Sequence, residues 1–359
     1  MAGDMTTRGT SSTILVGDIG GTHTRLSLYD RQGKRLLHEA VLPSRAYDQF
    51  EDVAQQFLGT STHAAPGVAV LGVAGPVRNQ VAMVTNLRWR LDGARLARTL
   101  SIPKVVLAND LAVAAKGCLH LTPDIAVQLT DRKAEPAGQD LAVIAAGTGL
   151  GEALLVWNGN RHLVVPTEGG HTDFAPRSAW EIELWQFLAK RFPDHVSYER
   201  ILSGDGLGAL YDFFAAKAGR EPKPVGKRLA EGDRNAAIAE IGLSGAYEPA
   251  KKAVDAFANI YGAEAGNLAL KGLTLGGVFI AGNIARHIVP ARREMFLDGF
   301  RSKGRFTKLM AQIPVVLVTD PLIGVRGAMA IAKEVLADDE KKPAPAPKAR
   351  KNRQKKSKS

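Results

Sequence analysis

Runs of apolar residues alternate with amphipathic stretches along the chain, and this alternation predicts strands and helices in turn. Strands are expected where β-branched and other apolar residues run together, and helices where apolar residues recur every three or four positions. The first 120 residues give predicted strands at 14–19, 24–30, 66–77 and 104–110, and predicted helices at 50–59 and 111–119. Strands that alternate with helices in this way are typical of an α/β lobe with buried parallel strands.

A second lobe is expected to begin near residue 121 and to repeat the opening pattern. Residues 141–166, LAVIAAGTGLGEALLVWNGNRHLVVP, again read as a strand, a glycine-rich turn and a strand. Two hairpins of one design, about a lobe apart, suggest a duplicated unit with two turns that face phosphate.

Helix start signals mark the rest of the second lobe. Ser178 and Glu181 stand at capping-box spacing before a predicted helix at 178–192, and Pro249 lies in the first turn of another at 247–270. Strands are predicted at 276–282 and 314–320, and Asp320 and Pro321 are expected to start a last helix that runs to residue 337. The predicted domains are a disordered N-terminus at 1–12, a small α/β domain at 13–120 plus 318–337, a large α+β domain at 121–317 and a disordered basic tail at 338–359.

The net charge of +11 is concentrated at the C-terminus. Residues 341–359 contain nine Lys and Arg and no acidic residue, so residues 1–340 carry the remaining +2. This segment has no aromatic residue and is too polar and proline-rich to bury a core, which predicts disorder. We expect a solvated tail and no specific nucleic-acid interface, although nonspecific binding to polyanions stays open.

The cysteine count and the lack of long apolar runs narrow the class of protein. Cys118 is the only cysteine, which excludes an intramolecular disulfide and a cysteine-rich zinc site, and we expect it to be a small core residue. The N-terminal residues MAGDMTTRGTSS contain no apolar signal core, and no apolar run approaches the roughly 20 residues of a membrane span. We therefore expect a cytoplasmic protein without membrane association.

The glycine-rich turn GDIGG is a candidate for binding a nucleotide phosphate. Gly20 and Gly21 let the backbone approach a ligand closely and point N–H groups at an anion. Asp18 would be repelled by that anion unless a divalent cation lay between them. The turn therefore suits a magnesium-bound phosphate, with Asp18 facing the waters of the metal.

Two further glycine-bearing segments extend this pattern. AAGTGLG places glycines at 147, 149 and 151 around Thr148, and Gly282 ends a predicted strand where it could pass close to an adenosine. Each segment alone is also what an ordinary turn contains. Neither G-x-G-x-x-G nor G-x-x-x-x-G-K-[ST] occurs, so a dinucleotide-binding fold and a Walker-type site are not supported.

Polar residues that could bind a polyol gather near these turns. Asn109 and Asp110 end a predicted strand, Glu168 and His171 lie in PTEGGHTDFAP, and Glu199 lies in SYERILSG. Asn109 and Asp110 could simply cap a helix, His171 could be structural, and Glu199 could be a first-turn acid. Carboxylates, an amide and an imidazole together suit directed hydrogen bonds to sugar hydroxyls. Beside a Mg-ATP site, they predict phosphoryl transfer to a sugar hydroxyl, with one carboxylate taking the proton.

Six motifs in order resemble those of the bacterial glucokinases, in the hexokinase and actin-like ATPase superfamily. They are GDIGGTHTRL, LAND, AAGTGLG, PTEGGHTDFAP, SYERILSG and FIAGNIA, and the resemblance runs from about residue 13 to 337. It implies a two-lobed actin-like (ribonuclease H-like) sugar kinase fold with a cleft between the lobes. It also implies ATP-dependent phosphorylation of D-glucose at the 6-hydroxyl, with Mg²⁺ as cofactor, and a homodimer.

The resemblance also implies roles for individual residues. Asp110 is the expected base. The expected glucose-binding residues are Asn109, Asp110, Glu168, His171 and Glu199. The expected nucleotide-binding residues are Gly17, Asp18, Ile19, Gly20, Gly21, Thr22, Gly147, Thr148, Gly149, Gly151, Gly282 and Asn283. Two positions depart from the family pattern. His23 stands where asparagine is common, and Asn283 where a second glycine is usual. Because asparagine tolerates a left-handed backbone, we expect the adenosine turn to survive.

Three other classes of protein share part of this sequence pattern. A broader-specificity hexose kinase, of the family that groups repressors with sugar kinases, typically carries a cysteine-rich zinc motif after the histidine, and this chain has TDFAPRSAWEIE there. A non-catalytic sugar-sensing repressor would need a helix-turn-helix before the first strand, where only about a dozen polar residues stand. An actin-like filament protein has no use for the sugar-binding residues.

Overall fold

The computed structural model describes residues 13–84, 87–219 and 221–340. The predicted disordered N-terminus at 1–12 and the basic segment at 341–359 lie outside the described residues. Residues 338–340 are helical, so the predicted boundary of the tail at residue 338 falls three residues early. No helix in the described part of the chain is long and apolar enough to cross a membrane.

Fourteen strands within the described residues form two large sheets and one small sheet. They are β1 (Thr13–Ile19), β2 (His23–Asp30), β3 (Leu36–Pro43), β4 (Pro66–Val73), β5 (Val77–Arg78), β6 (Val81–Met83), β7 (Arg90–Asp92), β8 (Lys104–Asn109), β9 (Ala126–Gln128), β10 (Leu141–Ala146), β11 (Leu150–Trp157), β12 (His162–Thr167), β13 (Gly277–Ala281) and β14 (Val315–Val318).

Twelve α-helices complete the described residues. They are α1 (Phe50–Thr60), α2 (Gly93–Thr99), α3 (Asp110–Cys118), α4 (Ala179–Arg191), α5 (Gly204–Ala215), α6 (Lys223–Ala230), α7 (Arg234–Ser244), α8 (Glu248–Gly272), α9 (Asn283–Ile288), α10 (Arg293–Arg301), α11 (Thr307–Met310) and α12 (Ile323–Glu340). The predicted helices at 50–59, 111–119, 178–192 and 247–270 are confirmed as α1, α3, α4 and α8.

The two large sheets share one arrangement of strand directions. The first sheet has the order β3-β2-β1-β4-β8, and the second β12-β11-β10-β13-β14-β9. In each, three antiparallel strands are followed by two parallel ones, with β1 next to β4 and β10 next to β13, and the second sheet ends in the antiparallel strand β9. The β1–β2 turn and the β10–β11 turn therefore occupy equivalent places in the two sheets, as the two similar hairpins predicted.

Helix α3 lies between the two sheets and joins the lobes. Val113 packs with apolar residues of β1 and β4, while Ala115 and Cys118 pack with β10, β11 and β13 of the second sheet. Cys118 is buried there as a small core residue, as expected. On its other side α3 packs closely on α12, where a Cβ at Gly327 would overlap the carbonyl of Val113. The first residue of α3 consequently stands where the lobes meet.

Two predicted helix starts differ from the structure. Ser178 precedes α4, but its hydroxyl makes no cap hydrogen bond. Glu181 accepts instead from the backbone and guanidinium of Arg177, at 2.6 Å from the Arg177 backbone nitrogen. The predicted capping box is therefore wrong, because the arginine takes the carboxylate. The last helix begins at Ile323 and not at Pro321, since Oδ1 of Asp320 accepts from the backbone of Leu322 in a preceding turn.

Candidate active site

The first glycine turn, residues 20–22, joins β1 to β2 and is held from behind by a buried serine. The N–H of Gly20 donates to the carbonyl of His23 at 3.0 Å. The hydroxyl of Ser44 donates to the carbonyl of Gly20 at 2.8 Å, and its N–H donates to the carbonyl of Thr22 at 2.9 Å. These bonds fix the shape of the turn and engage the N–H of Gly20, while Gly20 and Gly21 stay partly open to solvent.

Asp18 is the one residue of β1 whose side chain is exposed. Protein surrounding the carboxyl raises its pKa, and the guanidinium of Arg25, its partner across the β1–β2 pair, acts in the opposite direction. Its neighbours Gly17 and Ile19 are buried and pair with strands on both sides. A Cβ at Gly17 would lie 2.6 Å from Leu71. These two therefore support the turn from within the sheet.

The second glycine turn joins β10 to β11 and touches the start of α5. The N–H of Gly147 donates to the carbonyl of Gly149, and the N–H of Gly204 donates to the carbonyl of Gly147 at 3.0 Å. Thr148 is exposed at the tip. Gly151 lies beyond the turn, inside β11, where a Cβ would come within 2.9 Å of Leu111 on α3. Its lack of a side chain lets the lobes approach, and it does not face the turn.

The third glycine-bearing segment lies beside the second. Gly282 has a φ of +95° and caps α9, and a Cβ there would overlap the carbonyl of Ala146 at the end of β10. Glycine is therefore required. Asn283 begins α9 with an ordinary φ, and its Oδ1 accepts from Arg286 at 2.8 Å. Asn283 does not use the left-handed backbone that asparagine tolerates, because Gly282 alone makes the turn.

A buried tyrosine fixes the strand ends beneath these two segments. The hydroxyl of Tyr261, on α8, accepts from the N–H of Ala146 at 3.2 Å. It lies 3.1 Å and 3.2 Å from the carbonyl oxygens of Ile144 and Ala281. One side chain thus joins the ends of β10 and β13, from which both segments emerge.

Asn109 and Asp110 stand at the junction of β8 and α3. Oδ1 of Asn109 accepts from the N–H of Ala112 at 3.1 Å, which is the cap that the sequence allowed, and its amide donates to the carbonyl of Gly75. Asp110 is the first residue of α3, and its Oδ1 accepts from the N–H of Leu111 at 2.8 Å. Asn109 is therefore held rigid by its cap, and it presents Asp110 at the mouth of the cleft.

The carboxyl of Asp110 reaches solvent, yet protein encloses it on most sides. This burial raises the pKa of Asp110 to about 6, with further increases from the charges of Asp18 and Glu168 and an opposing effect of the N–H of Leu111. The influence of Asp18 and Glu168 places acidic groups of both lobes near Asp110. A carboxyl with such a pKa is largely ionised at pH 7 and is still able to accept a proton.

Glu168, His171 and Glu199 lie together on the large lobe. Glu168 precedes the one-turn helix Gly169–His171, and Nδ1 of His171 lies 3.9 Å from Oε1 of Glu199. The two loops are joined because the N–H of Tyr198 donates to the carbonyl of Thr172. Glu168 and His171 are exposed, and the side chain of Glu199 is 25% exposed. The predicted sugar-binding side chains of this lobe are therefore adjacent and accessible.

The residues that hold these groups in place could not be identified from the sequence. Ser44 and Tyr261 stabilise the turns from regions whose patterns show only the end of a strand and the middle of a helix. Neither residue has a local signal, because each acts on atoms far away in the sequence.

The arrangement offers backbone donors for an anion, a proton acceptor and hydrogen-bonding groups for hydroxyls. No cluster of three or more His, Cys, Asp or Glu side chains in the described part of the chain could hold a metal ion by itself. The exposed carboxylate of Asp18 beside the first glycine turn fits a magnesium ion carried on a substrate phosphate, because Mg²⁺ keeps several waters and takes few protein ligands.

Known proteins resemble this chain over nearly its whole length. The family model Glucokinase matches residues 15–335. A glucokinase from Nostoc sp. is 38% identical over 333 residues, which span 88% of this chain and 97% of that protein. A solved glucokinase from an Antarctic psychrotroph is 30% identical with a TM-score of 0.75, over 90% of this chain and 99% of that one. A glucokinase from Balamuthia mandrillaris, solved with glucose, shares the fold at 24% identity and a TM-score of 0.75, over 90% and 94% of the two chains.

Proposed function

This chain belongs to the glucokinase family, and from that premise we propose which of its residues carry out the reaction. The enzyme has the two-lobed sugar kinase fold and transfers a phosphoryl group from ATP to glucose. The acceptor in this proposal is the 6-hydroxyl of D-glucose, and the product is glucose 6-phosphate.

Asp110 is the general base of the proposed mechanism. It accepts the proton of the glucose hydroxyl as the oxygen attacks the terminal phosphorus of ATP. The observation that carries this role is its position at the start of α3, where the lobes meet, together with a pKa of about 6. Because phosphoryl transfer depends mostly on positioning and electrostatics, the base supplies only part of the acceleration.

The sugar is positioned by groups of both lobes. Glu168, His171 and Glu199 supply two carboxylates and an imidazole on the large lobe. Asn109 has its amide oxygen engaged in the cap of α3 and one amide hydrogen on Gly75, so it offers glucose the second amide hydrogen. Directed hydrogen bonds of this kind discriminate strongly, because a missing or inverted hydroxyl leaves their partners unpaired.

ATP is proposed to lie along the three glycine-bearing segments. Gly20, Gly21 and Thr22 supply one phosphate-binding turn, and Gly147, Thr148 and Gly149 supply the other, which leaves Gly282 and Asn283 beside the adenosine. Gly17, Ile19 and Gly151 support these segments from within their strands. Asp18 would hold Mg²⁺ through water, and the positive charge that the ion supplies there would favour the transferred phosphoryl group.

A coupled assay with ATP and either glucose or galactose tests this proposal. We expect strong preference for glucose, dependence on magnesium, and loss of activity when a chelator is added. Comparable kcat/KM for several hexoses would favour the broader-specificity kinase, and glucose binding without turnover would favour a sugar-sensing protein. We also propose a cytoplasmic homodimer, for which sedimentation velocity measures the mass in solution.

A further inference from the structure

Two buried glutamates lie behind the loops that carry the proposed sugar-binding residues. Glu152 is on β11 and Glu264 is on α8, with exposed fractions of 1% and 0%. Oε1 of each carboxyl has no hydrogen-bond partner among the described residues. An unpaired buried carboxylate oxygen is costly, so two of them side by side call for an explanation.

The carboxyls of Glu152 and Glu264 interact with each other in the core, where the surrounding protein disfavours ionisation of both. The nearest cation is Lys271, whose Nζ lies 3.6 Å from Oε1 of Glu264 and whose side chain is 57% exposed. Burial and the neighbouring charge of Glu264 raise the pKa of Glu152 to about 8, and burial also raises the pKa of Glu264. Two like charges in a buried site favour retention of one proton.

Each glutamate supports one of the two loops that carry the proposed sugar-binding residues, which we call the sugar loops. One loop carries Glu168 and His171, and the other carries Glu199. A Cβ at Gly169, between Glu168 and His171, would overlap Oε2 of Glu152. Glu152 also pairs with Thr167 across β11 and β12, and Oγ1 of Thr167 accepts from the N–H of Gly169 at 3.1 Å. The carboxyl of Glu152 therefore packs directly beneath this loop and supports it.

Glu264 reaches the second loop through an asparagine. The amide of Asn267 lies 2.8 Å from Oε2 of Glu264 and 3.1 Å from the hydroxyl of Tyr198. Tyr198 is buried and directly precedes Glu199. The pair thus connects the Glu168–His171 segment with the segment that carries Glu199.

We propose that Glu152 and Glu264 share one proton in a carboxylic acid–carboxylate hydrogen bond, and that this pair holds both sugar loops in the geometry that binds glucose. Glu152 is then a positioning residue, since it acts through Gly169 and does not touch the sugar. The inference rests on the proposed function, because it assumes that these loops bind glucose.

Loss of the shared proton places two negative charges in the buried site and pushes the carboxyls apart. The charged and titratable groups that face the pair are Tyr198, Tyr261, Lys271, Lys303 and, further out, Arg177. Lys303 has a pKa lowered to about 8 by burial, so it titrates in the same range. We therefore expect the KM for glucose to rise above about pH 8, while Asp110 stays ionised throughout.

The glucose KM between pH 7 and 9.5 tests the proposal with Glu152→Gln. The glutamine amide donates a hydrogen bond to Glu264 as the acid does but cannot lose a proton. The wild-type KM should rise severalfold across this range, and the KM of Glu152→Gln should stay constant. Glu51→Gln, which changes a buried glutamate of the other lobe, should follow the wild type. A rise in Glu152→Gln equal to that of the wild type would assign the effect to Lys303 and overturn the proposal, as would a flat wild-type profile.

Infrared spectroscopy of the proton itself does not depend on turnover, and the wild-type spectrum alone tests for the proton. At pH 7.5 the wild type should show the carbonyl band of a buried protonated carboxylic acid, which disappears by pH 9.5. The band should be absent from Glu152→Gln. A wild-type spectrum without the band contradicts the shared proton. An enzyme that shows the band and does not phosphorylate glucose would instead contradict the proposed function.

Discussion

Oε2 of Glu199 lies 3.0 Å from the backbone nitrogen of Leu150 and accepts its hydrogen bond. Leu150 directly follows the second glycine turn. Glu199, a proposed glucose-binding residue, is therefore hydrogen-bonded to a proposed phosphate-binding segment. A shift of either element must move the other. This contact is the most direct link between the two substrate sites in the large lobe.

Gly149→Ala tests that link. Gly149 has no positive φ, so alanine suits its backbone, but the added Cβ would lie 2.5 Å from Oε2 of Glu199. The carboxylate must move and lose its charge-assisted bond, for which we expect an increase of about 10-fold to 100-fold in the KM for glucose. Gly59→Ala is the control, because nothing lies within 4 Å of a Cβ there. An unchanged glucose KM in Gly149→Ala would show that Glu199 does not need this position.

Tyr261→Phe tests the support beneath the second and third glycine-bearing segments. The substitution removes the acceptor of the Ala146 N–H in a buried site. We therefore expect the free energy of unfolding to fall by about 1–3 kcal/mol. Tyr47→Phe is the matched control, since its hydroxyl bonds Gln56 at an exposed position and should matter by less than about 0.5 kcal/mol. Urea denaturation of both variants measures the difference. Equal stability of the two would contradict the supporting role.

The raised pKa of Asp110 predicts the acid limb of the pH–rate profile. The ionised carboxylate is the proposed base, so kcat/KM for glucose should fall as pH drops through about 6 and Asp110 becomes protonated. The residual activity of Asp110→Asn should lack this limb. An activity that stays constant down to pH 5 would exclude a base with this pKa.

The same pKa predicts a change in stability that needs no assay of activity. A carboxyl whose pKa is raised in the folded state opposes folding once pH exceeds its ordinary value, because the folded state disfavours the charge. Asp110→Asn removes that charge and keeps an oxygen for the N–H of Leu111. Its Tm at pH 7 should therefore exceed that of the wild type, and the difference should shrink as pH falls below 6. A lower Tm at pH 7 would mean that the carboxylate stabilises the fold.

Much of the fold could be predicted because local patterns of apolar residues indicate its strands and helices. The strand at 104–110 and the helices at 50–59 and 111–119 were found to within a residue or two, since each has a clear apolar period. Helices α5, α6 and α7 were not predicted. Helix α5 begins GDGLGAL, and its glycines hide a helix that is stabilised by burial against α7 and α8. Tertiary packing there overrides a weak local propensity.

The residues of the candidate site also fall into those that a local pattern identifies and those that it does not. The motifs identified Asp110 at the end of an apolar strand, Glu168 and His171 next to glycines, and Glu199 within SYERILSG. Ser44, Tyr261 and the pair of Glu152 and Glu264 escaped, because their partners lie far away in the sequence. Glu152 even occurs in the motif GLGEALL, yet whether it faces solvent or a second carboxyl depends on where α8 packs.

In the proposed mechanism Asp110 removes the proton and Glu199 binds the sugar, and paired kinetics of Asp110→Asn and Glu199→Gln separate these two roles. General-base catalysis is typically worth about 10² to 10⁴ in rate. Asp110→Asn should lower kcat by about that factor in rapid-mixing experiments and change the Kd for glucose, measured separately by calorimetry, much less. Glu199→Gln should show the opposite division, with weaker glucose binding and a smaller loss of kcat. An Asp110→Asn enzyme that keeps a nearly normal chemical step while losing affinity for glucose would contradict this mechanism and make Asp110 a sugar ligand only.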